Sequence, residues 1–421
     1  MTTALFTSFA APDSGVFESQ VLEYGRFMKG LGLHFRYLLF EGLRTGFAHR
    51  RGIHDRIAAL QLRFAADIVI HYQPSPLSRL GLRMASFRMR AALRGITGQP
   101  ALIQARGAPA TCAALELRRH TRSVRVIYDA RGDETAEIRY EAACSVSRRD
   151  RSRWLRRAER MAILERRASA GADHILAVSE PLKEHVCAIG GAPPQRISVV
   201  PCCVSPGRMR HDPGARRAMR SRLAIEDRFV VVYSGSLTPY QLPDRMAALI
   251  EALRERLPQT HLLLLTRDHA GADRWFDRLS ACGAVTVVDA PFDEVGSYLA
   301  AADAALLLRQ DDAVNRVACP VKFAEYQICG LPVVTSPGIG DLSAHVRATG
   351  HGVVIPLQLS PREQAALVAE AAASPRWRDS EQIRHAATRR FCRDAYRDTY
   401  LELLAELGVV VNGRDPDFPA S

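Results

Sequence analysis

Short apolar runs alternate with longer stretches of helical periodicity from one end of the chain to the other. The apolar runs are rich in Leu, Ile, Val and Ala, which is typical of strands buried on both faces of a parallel sheet. A longer amphipathic pattern follows each of them, so the chain consists of successive strand–helix–strand units. We therefore predict an α/β fold built on doubly wound parallel sheets.

The predicted strands form two series, separated by a polar segment rich in Pro and Gly at residues 201–228. The first series is 4–9, 34–40, 68–72, 102–105, 124–129, 174–178 and 197–200. The second is 229–234, 261–266, 285–289, 304–308, 332–335 and 353–355. Each series has the length of a Rossmann-like domain, and a cleft between two such domains would bind a ligand.

These patterns predict a first Rossmann-like domain at 1–205 and a second at 206–380. A C-terminal helix is expected at 381–410, packing back on the first domain, and a flexible tail at 411–421.

Charge and cysteine usage narrow the classes of protein. The 57 Lys and Arg residues against 45 Asp and Glu give a net charge of +12, which favours a polyanionic partner or reflects a general Arg-rich composition. The nine cysteines are scattered without a Cys-x-x-Cys pair, as in reduced cytosolic proteins. No basic leader and no apolar run of about 18 residues is present, so we expect a cytoplasmic protein, at most peripheral at the inner face of the membrane.

The segment 320–341 carries the clearest chemical signal. Pro320 suits the first position of a helix, and Gly330 followed by Pro332 ends it before a buried strand. This helix would begin at the carboxyl edge of the sheet, where its free N–H groups attract phosphate. Lys322 could neutralise a diphosphate and Glu325 could bind sugar hydroxyls; alternatively, the two pair with each other on a solvated face.

The same segment resembles the donor-binding signature of retaining GT-B glycosyltransferases of group 1 and family 4. The matching residues are Pro320, Lys322, Glu325, Tyr326, Gly330, Pro332, Val333 and Val334. The resemblance implies that Glu325 binds the ribose of the nucleotide and that the helix end holds the diphosphate. Another glutamate common in this family falls at Val317 here, so Asn315, Asp312 or a backbone amide would take over its contacts to the donor sugar.

The resemblance extends to two other donor-side turns. Gly235, Ser236 and Leu237 follow a strand as in the family, but the usual arginine and lysine of this turn are replaced by Ser236 and Gln241. Lys322 and Arg267 are then the candidates for the missing positive charge, although Arg267 could simply be an exposed arginine at a strand end. Phe292 lies in the turn that receives the nucleotide base in the family.

In the first half, Ser14 and Gly15 lie in a loop that resembles the glycine loop of the family, which faces the donor; Gly15 is expected at the donor and Ser14 on the acceptor side. Arg106 and Arg131 each end a strand in Ala-Arg-Gly and are expected on the acceptor side, where they would meet an anionic acceptor or pair with nearby aspartates. Arg131 joins Lys322 and Glu325 as an expected catalytic residue.

Basic helical patterns at 78–94 and 148–167 could dock on anionic lipid, or each could be a helix with one packed and one solvated face.

The resemblance implies transfer of a hexose, with retention, from a UDP- or GDP-sugar to a glycan or lipid-linked glycan precursor, as in polysaccharide biosynthesis. Stabilisation of the leaving group's charge by Lys322 and by helix N-termini would accelerate the transfer. No cofactor or metal is expected, since the pair Asp311-Asp312 is too short to indicate a metal site. The alternatives are a sugar-nucleotide epimerase of the same fold and a non-catalytic partner protein, given the departures at Val317 and Ser236. Nucleic-acid binding would rest on charge alone, so no nucleic-acid partner is predicted.

Overall fold

A computed structural model describes residues 2–9, 12, 15–43, 47–94, 100–121, 123–205, 207, 209 and 213–411, with only the backbone for 47 and 48. The predictions for Ser14 and for 412–421 of the tail lie outside these residues. The chain divides into two compact units: unit 1 is Met1–Pro201 with Tyr396–Ser421, and unit 2 is Cys202–Ala395. Within the described ranges, no helix combines the length and the apolar character needed to cross a bilayer.

Unit 1 is built on a sheet of seven parallel strands. The strands are β1 (Thr2–Ser8), β2 (Leu33–Gly42), β3 (Asp67–Gln73), β4 (Ala101–Arg106), β5 (Val124–Ala130), β6 (His174–Ala177) and β7 (Ile197–Val199). Their order is β3-β2-β1-β4-β5-β6-β7. The order reverses direction between β1 and β4, which are hydrogen-bonded neighbours with Leu5 opposite Ile103.

Unit 2 contains a sheet of six parallel strands. They are β8 (Phe229–Ser234), β9 (Thr260–Leu265), β10 (Val285–Val288), β11 (Ala304–Leu307), β12 (Val333–Thr335) and β13 (Gly352–Val354). Their order is β10-β9-β8-β11-β12-β13, which reverses between β8 and β11, where Val232 lies opposite Ala305. Leu262, Leu264, Leu306 and Val334 of this sheet belong to one buried core.

The helices connect the strands in chain order. They are α1 (Gly15–Phe17), α2 (Glu23–Gly30), α3 (Phe47–Phe64), α4 (Arg79–Leu93), α5 (Ala108–Arg118), α6 (Glu134–Cys144), α7 (Arg148–Gly171), α8 (Glu180–Gly190), α9 (Pro213–Leu223), α10 (Pro243–Arg256), α11 (His269–Ala281), α12 (Val295–Ala300), α13 (Ala313–Arg316), α14 (Val321–Ile328), α15 (Leu342–Thr349), α16 (Pro361–Ala373), α17 (Pro375–Arg378), α18 (Ser380–Phe391) and α19 (Arg397–Glu406). A π-helical turn at Glu18–Leu22 joins α1 to α2.

The prediction of an α/β fold with two doubly wound parallel sheets is confirmed, and each predicted strand is present within one or two residues of its expected bounds. The reason is physical: strands covered on both faces are apolar along their whole length, so their signal survives in the sequence.

The predicted C-terminal helix is present, but it is interrupted and consists of α18 and α19. Cys392 is extended (φ −87°, ψ 139°) and pairs with Val204, so α18 ends there and α19 begins after a 3₁₀ turn at Arg393–Tyr396. Beyond that turn, α19 packs on α2 of unit 1: the ring of Tyr400 lies 5.5 Å from that of Tyr24 and 5.6 Å from that of Phe27.

Candidate functional site

The carboxyl ends of β8 and β11 are neighbours in unit 2, at the point where the strand order reverses. Open parallel sheets bind ligands at such a point, because the loops after the two strands diverge and leave a crevice. Gly235 follows β8 and donates its N–H to Leu265 O of β9 at 2.9 Å. Arg309 comes shortly after β11, and the connection from this strand leads into α14.

Helix α14 begins abruptly and ends abruptly. Pro320 is its N-cap with extended ψ (122°), so the helix begins at Val321, one residue later than predicted, and Pro320 provides no side-chain cap for the first turn. Gly330 closes the helix at φ +76°, as predicted, and a Cβ there would lie 2.8 Å from Ser380 O. Phe323 and Tyr326 are fully buried, and the ring of Phe323 packs edge-on against that of Phe391 of α18 at 5.4 Å.

Lys322 projects from the first turn of α14 towards the end of β8. Its Nζ donates to Tyr233 Oη at 3.1 Å and to Gln241 Oε1 at 3.4 Å, and lies 4.2 Å from the centroid of the Tyr233 ring. Burial and the guanidinium of Arg309 hold the pKa of Lys322 well below its ordinary value, against the opposing carboxylate of Glu325. Lys322 and Arg309 together therefore carry more positive charge than Glu325 offsets.

Arg309 is the residue of this site that sequence reasoning missed. It is 8% exposed, its guanidinium carbon lies 4.6 Å from the ring centroid of Tyr240, and burial lowers its pKa. Its backbone is held on both sides by Ser336, whose Oγ accepts from Arg309 N at 2.8 Å and donates to Arg309 O at 2.6 Å. Within the described part of the chain, Arg309 Nε has no hydrogen-bond partner.

The turn after β8 is shaped around Lys322. Gly235 has φ +137°, a conformation that L residues rarely adopt, and a Cβ at this position would lie 2.6 Å from Lys322 Nζ, so the end of the lysine side chain would have to move. Ser236 is exposed and Leu237 is buried in the core of unit 2. Gln241 ends a short 3₁₀ turn that is followed by Leu242 at φ +56°, an uncommon conformation for a leucine.

Glu325 lies one turn beyond Lys322 on α14 and is 9% exposed. The neighbouring Tyr326 accepts a hydrogen bond from Ser234 N at 2.8 Å through its hydroxyl, which fixes the helix to the end of β8. The structure thus brings together Gly235, Lys322 and Glu325 of the predicted donor residues, and adds Arg309.

Other predicted donor residues have local partners. Asn315 is buried, with Nδ2 donating to Gln310 O and to Asp312 Oδ1, both at 3.0 Å. Arg267 is mostly exposed and lies 3.3 Å from Asp289 Oδ1. Phe292 is half-buried, and Val317 is buried.

In unit 1, Arg106 and Arg131 converge on one buried carboxylate. Asp129 at the end of β5 is 2.7 Å from Arg131 Nε and 3.7 Å from Arg106 Nη1. The sequence left open whether these arginines meet an acceptor or pair with an aspartate. In the structure both lie beside Asp129. Gly15, at the start of α1, belongs to the same unit.

Acidic groups lie beside this pair. Glu134 accepts from Ala108 N at 2.6 Å, and burial, with the carboxylates of Glu165, Glu137 and Asp133 adding, raises its pKa to about 8. Asp133, Glu165 and His185 bring potential metal-ligand atoms within 4.8 Å of one another. Glu165 already accepts from Glu134 N at 2.8 Å and from the Thr135 hydroxyl, so it serves as a cap for α6.

Comparison with known proteins identifies the family. Residues 28–208 match the sequence model of Glycosyltransferase Family 4, and residues 228–373 match that of Glycosyl transferases group 1. The chain belongs to the GT-B glycosyltransferases.

Curated relatives of this GT-B chain include two proteins named D-inositol 3-phosphate glycosyltransferase. That of Segniliparus rotundus is 29% identical over 241 residues, 55% of this chain and 52% of the relative. That of Thermomonospora curvata is 28% identical over 272 residues, 59% of this chain and 60% of the relative. The matches thus span about half the length of these relatives.

Among solved structures, Anabaena HepE in complex with UDP and glucose superposes with a TM-score of 0.68 at 16% identity, covering 96% of this chain and 100% of HepE. At this identity the likeness establishes the GT-B fold.

Proposed function

We propose that this protein transfers a hexose from a nucleoside-diphosphate sugar to a hydroxyl of a glycan or lipid-linked glycan precursor. The observation that carries the proposal is the pair of partly uncompensated cations, Lys322 and Arg309, beside the uncapped N-terminus of α14. A diphosphate is the anion best suited to this arrangement, since it meets two point charges and a helix N-terminus at once.

The diphosphate is also where charge develops when the glycosidic bond breaks. As the sugar departs with oxocarbenium character, the leaving nucleoside diphosphate gains negative charge, and Lys322 and Arg309 are already positioned to stabilise it. We assign no side chain as nucleophile, in line with the retaining mechanism that the family resemblance implies. Arg309 here supplies the second cation that Ser236 and Gln241 cannot provide.

Glu325 would accept hydrogen bonds from the ribose hydroxyls of the donor. Its position one turn into α14 suits a nucleoside attached to a diphosphate at the start of the helix. Structures of Anabaena HepE with UDP and with UDP-glucose support a uridine donor for this chain too. The acceptor is proposed to bind unit 1, and the name of the curated relatives favours a phosphorylated polyol or a related hydroxyl compound.

We further propose peripheral contact with an anionic membrane through the basic helices of unit 1. The support is the distribution of charge: the segment 79–94, which is α4 and its C-cap, contains five arginines and no acidic residue. Such a helix gains about 1 kcal/mol per Lys or Arg beside anionic lipid.

A thermal-shift panel of UDP, GDP and ADP tests the donor site. UDP is expected to raise the Tm of the wild type, and Glu325→Ala should lose this response while its unliganded Tm and circular dichroism stay close to wild type. A full response in Glu325→Ala would place the nucleotide elsewhere. A second assay measures the release of UDP from UDP-glucose with and without an added acceptor. Transfer requires the acceptor, whereas epimerisation does not.

A further inference from the structure

A cavity of about 210 Å³ opens on the outer face of unit 1, where α4, α5 and α7 lie side by side. The residues that line it come from all three helices or their ends: Arg79, Leu82, Arg83, Glu116, Arg119 and Arg167. The members of this arginine pocket lie far apart in sequence, so the cavity exists only because the helices pack in this order.

The arginine pocket has a strong excess of positive charge. Glu116 is its one carboxylate, 2.8 Å from Arg167 Nη2 and 3.5 Å from Arg119 Nη1. The hydrogen bond from Arg167 and the charges of Arg119 and Arg83 lower the pKa of Glu116, so it is ionised at neutral pH. Four arginines against one glutamate leave a formal excess of three positive charges.

The guanidinium groups are accessible to a ligand. Arg119 is 67% exposed and Arg167 is 36% exposed, whereas Glu116 is 25% exposed. Each guanidinium presents several N–H donors in a planar fork, and a single carboxylate cannot occupy those of four arginines. A tetrahedral phosphate ester, with several acceptor oxygens, fits this donor set.

Two of the helices that line the arginine pocket also carry large exposed apolar side chains. Leu80 is 60% exposed and Phe87 is 71% exposed, and their spacing of seven residues places them on one face of α4 with Arg83 between them. Ile163 on α7 is 64% exposed. Exposed apolar residues among arginines are typical of helices that lie at a bilayer surface, with the apolar groups at the acyl boundary.

We propose that the arginine pocket binds the phosphate group of an anionic phospholipid while Leu80 and Phe87 enter the bilayer surface. This inference rests on the membrane contact proposed above and names the residues that make it specific. It is independent of the nucleotide site in unit 2.

Vesicle flotation tests it, with phosphatidylcholine vesicles prepared with and without phosphatidylglycerol. Wild type is expected to float only with phosphatidylglycerol. The double variant Arg83→Gln/Arg119→Gln should bind at least about tenfold more weakly, while Arg274→Gln/Arg278→Gln, with the same loss of charge from exposed positions in unit 2, should bind like wild type. Phe87→Ser should weaken flotation without changing the charge.

The outcomes separate the two proposals. If wild type does not float, the membrane contact fails and this inference fails with it. If wild type floats and the two double variants weaken flotation equally, the contact is one of general charge and the arginine pocket is not a site. If inorganic phosphate protects the wild type and not Arg83→Gln/Arg119→Gln against thermal unfolding but no vesicle binds, the pocket takes a soluble phosphate and the lipid assignment is overturned. A preserved UDP response in every variant shows that the fold is intact.

Discussion

Units 1 and 2 share a topology, yet the carboxyl ends of their central strands carry opposite chemistry. In unit 2, Lys322 and Arg309 sit together at the reversal point with too little negative charge to balance them. In unit 1, Arg106 and Arg131 are held by Asp129, and acidic groups such as Glu134 lie beside them.

The difference teaches that the fold supplies the position of a site and the side chains supply its chemistry. Two arginines after strands looked equally suited to an anion in the sequence, but both lie against the buried Asp129. In the other unit, burial and the charge of Arg309 act on Lys322 and lower its pKa. We therefore expect changes in unit 2 to affect nucleotide binding and changes in unit 1 to affect stability, in the following order of size.

The largest effect is expected for Lys322→Met. Loss of the ammonium group should abolish the UDP-induced rise in Tm and lower the transferase rate by about 100-fold or more. The unliganded variant should nevertheless melt about 2 °C or more higher, because a lysine with a lowered pKa costs folding free energy at neutral pH. Thermal shift and steady-state kinetics measure both.

Lys183→Met is the matched control, since Lys183 is partly exposed on α8 of unit 1, 3.9 Å from Glu180. It removes the same charge and should leave the UDP response as it is. An equal loss in both variants would show that net charge, and not the position of Lys322, governs binding.

The second effect concerns Gly235→Ala. The added Cβ would meet Lys322 Nζ at 2.6 Å in a backbone conformation of φ +137°, so both stability and UDP affinity should fall, the affinity by about tenfold. Gly283→Ala also places a Cβ at a positive φ, at +62° in the left-handed helical region where the backbone cost is lower, and it meets no atom within 4 Å. Gly283→Ala should therefore lose stability and keep its affinity for UDP, which titration calorimetry measures. An equal loss of affinity in both variants would refute the steric argument.

The third effect is a proton linked to nucleotide binding. Free Lys322 has a lowered pKa, set by burial and Arg309 and opposed by Glu325, and a bound diphosphate would raise it again. The complex then holds more protons than the free protein, so UDP affinity should fall as pH rises between the two values. Calorimetry in buffers of different ionisation enthalpy, well above the phosphate pKa of roughly 6, should detect proton uptake; heats that do not depend on the buffer would contradict it.

The smallest effect lies in unit 1, at Glu134. Its pKa of about 8 exceeds the ordinary 4.5, so the folded state keeps a proton that the unfolded state releases, and stability should fall as pH rises from about 4.5 to about 8. Glu134→Gln retains an oxygen for Ala108 N and should raise Tm by about 2–4 °C at high pH and little at low pH. Glu141→Gln, at an exposed position of the same helix, should show the wild-type dependence of Tm on pH. If Glu134→Gln also shows the wild-type dependence, the pKa of Glu134 is not raised.

Much of the donor site was predictable because its residues lie in one continuous segment. Lys322, Glu325 and Gly330 are within nine positions of one another, and their helix geometry follows from Pro320 and Gly330. Arg309 could not be found this way. It stands in a polar loop without a spacing signal, and its role depends on β8 and β11 being neighbours, which brings Gly235 and Tyr233 to it and to Lys322.

The break in the C-terminal helix could not be predicted from the sequence, for the same reason. The periodicity of 381–407 continues through Cys392, and only a pairing with Val204, nearly two hundred residues earlier, interrupts it. The sequence by itself therefore determined the two parallel sheets, the strand positions and the local shape of α14, because these depend on apolar periodicity and on residues close together in the chain. The tertiary structure alone decided which charges are neutralised and which remain available, because an ion pair or a cation pair depends on distances that strand order and helix packing set.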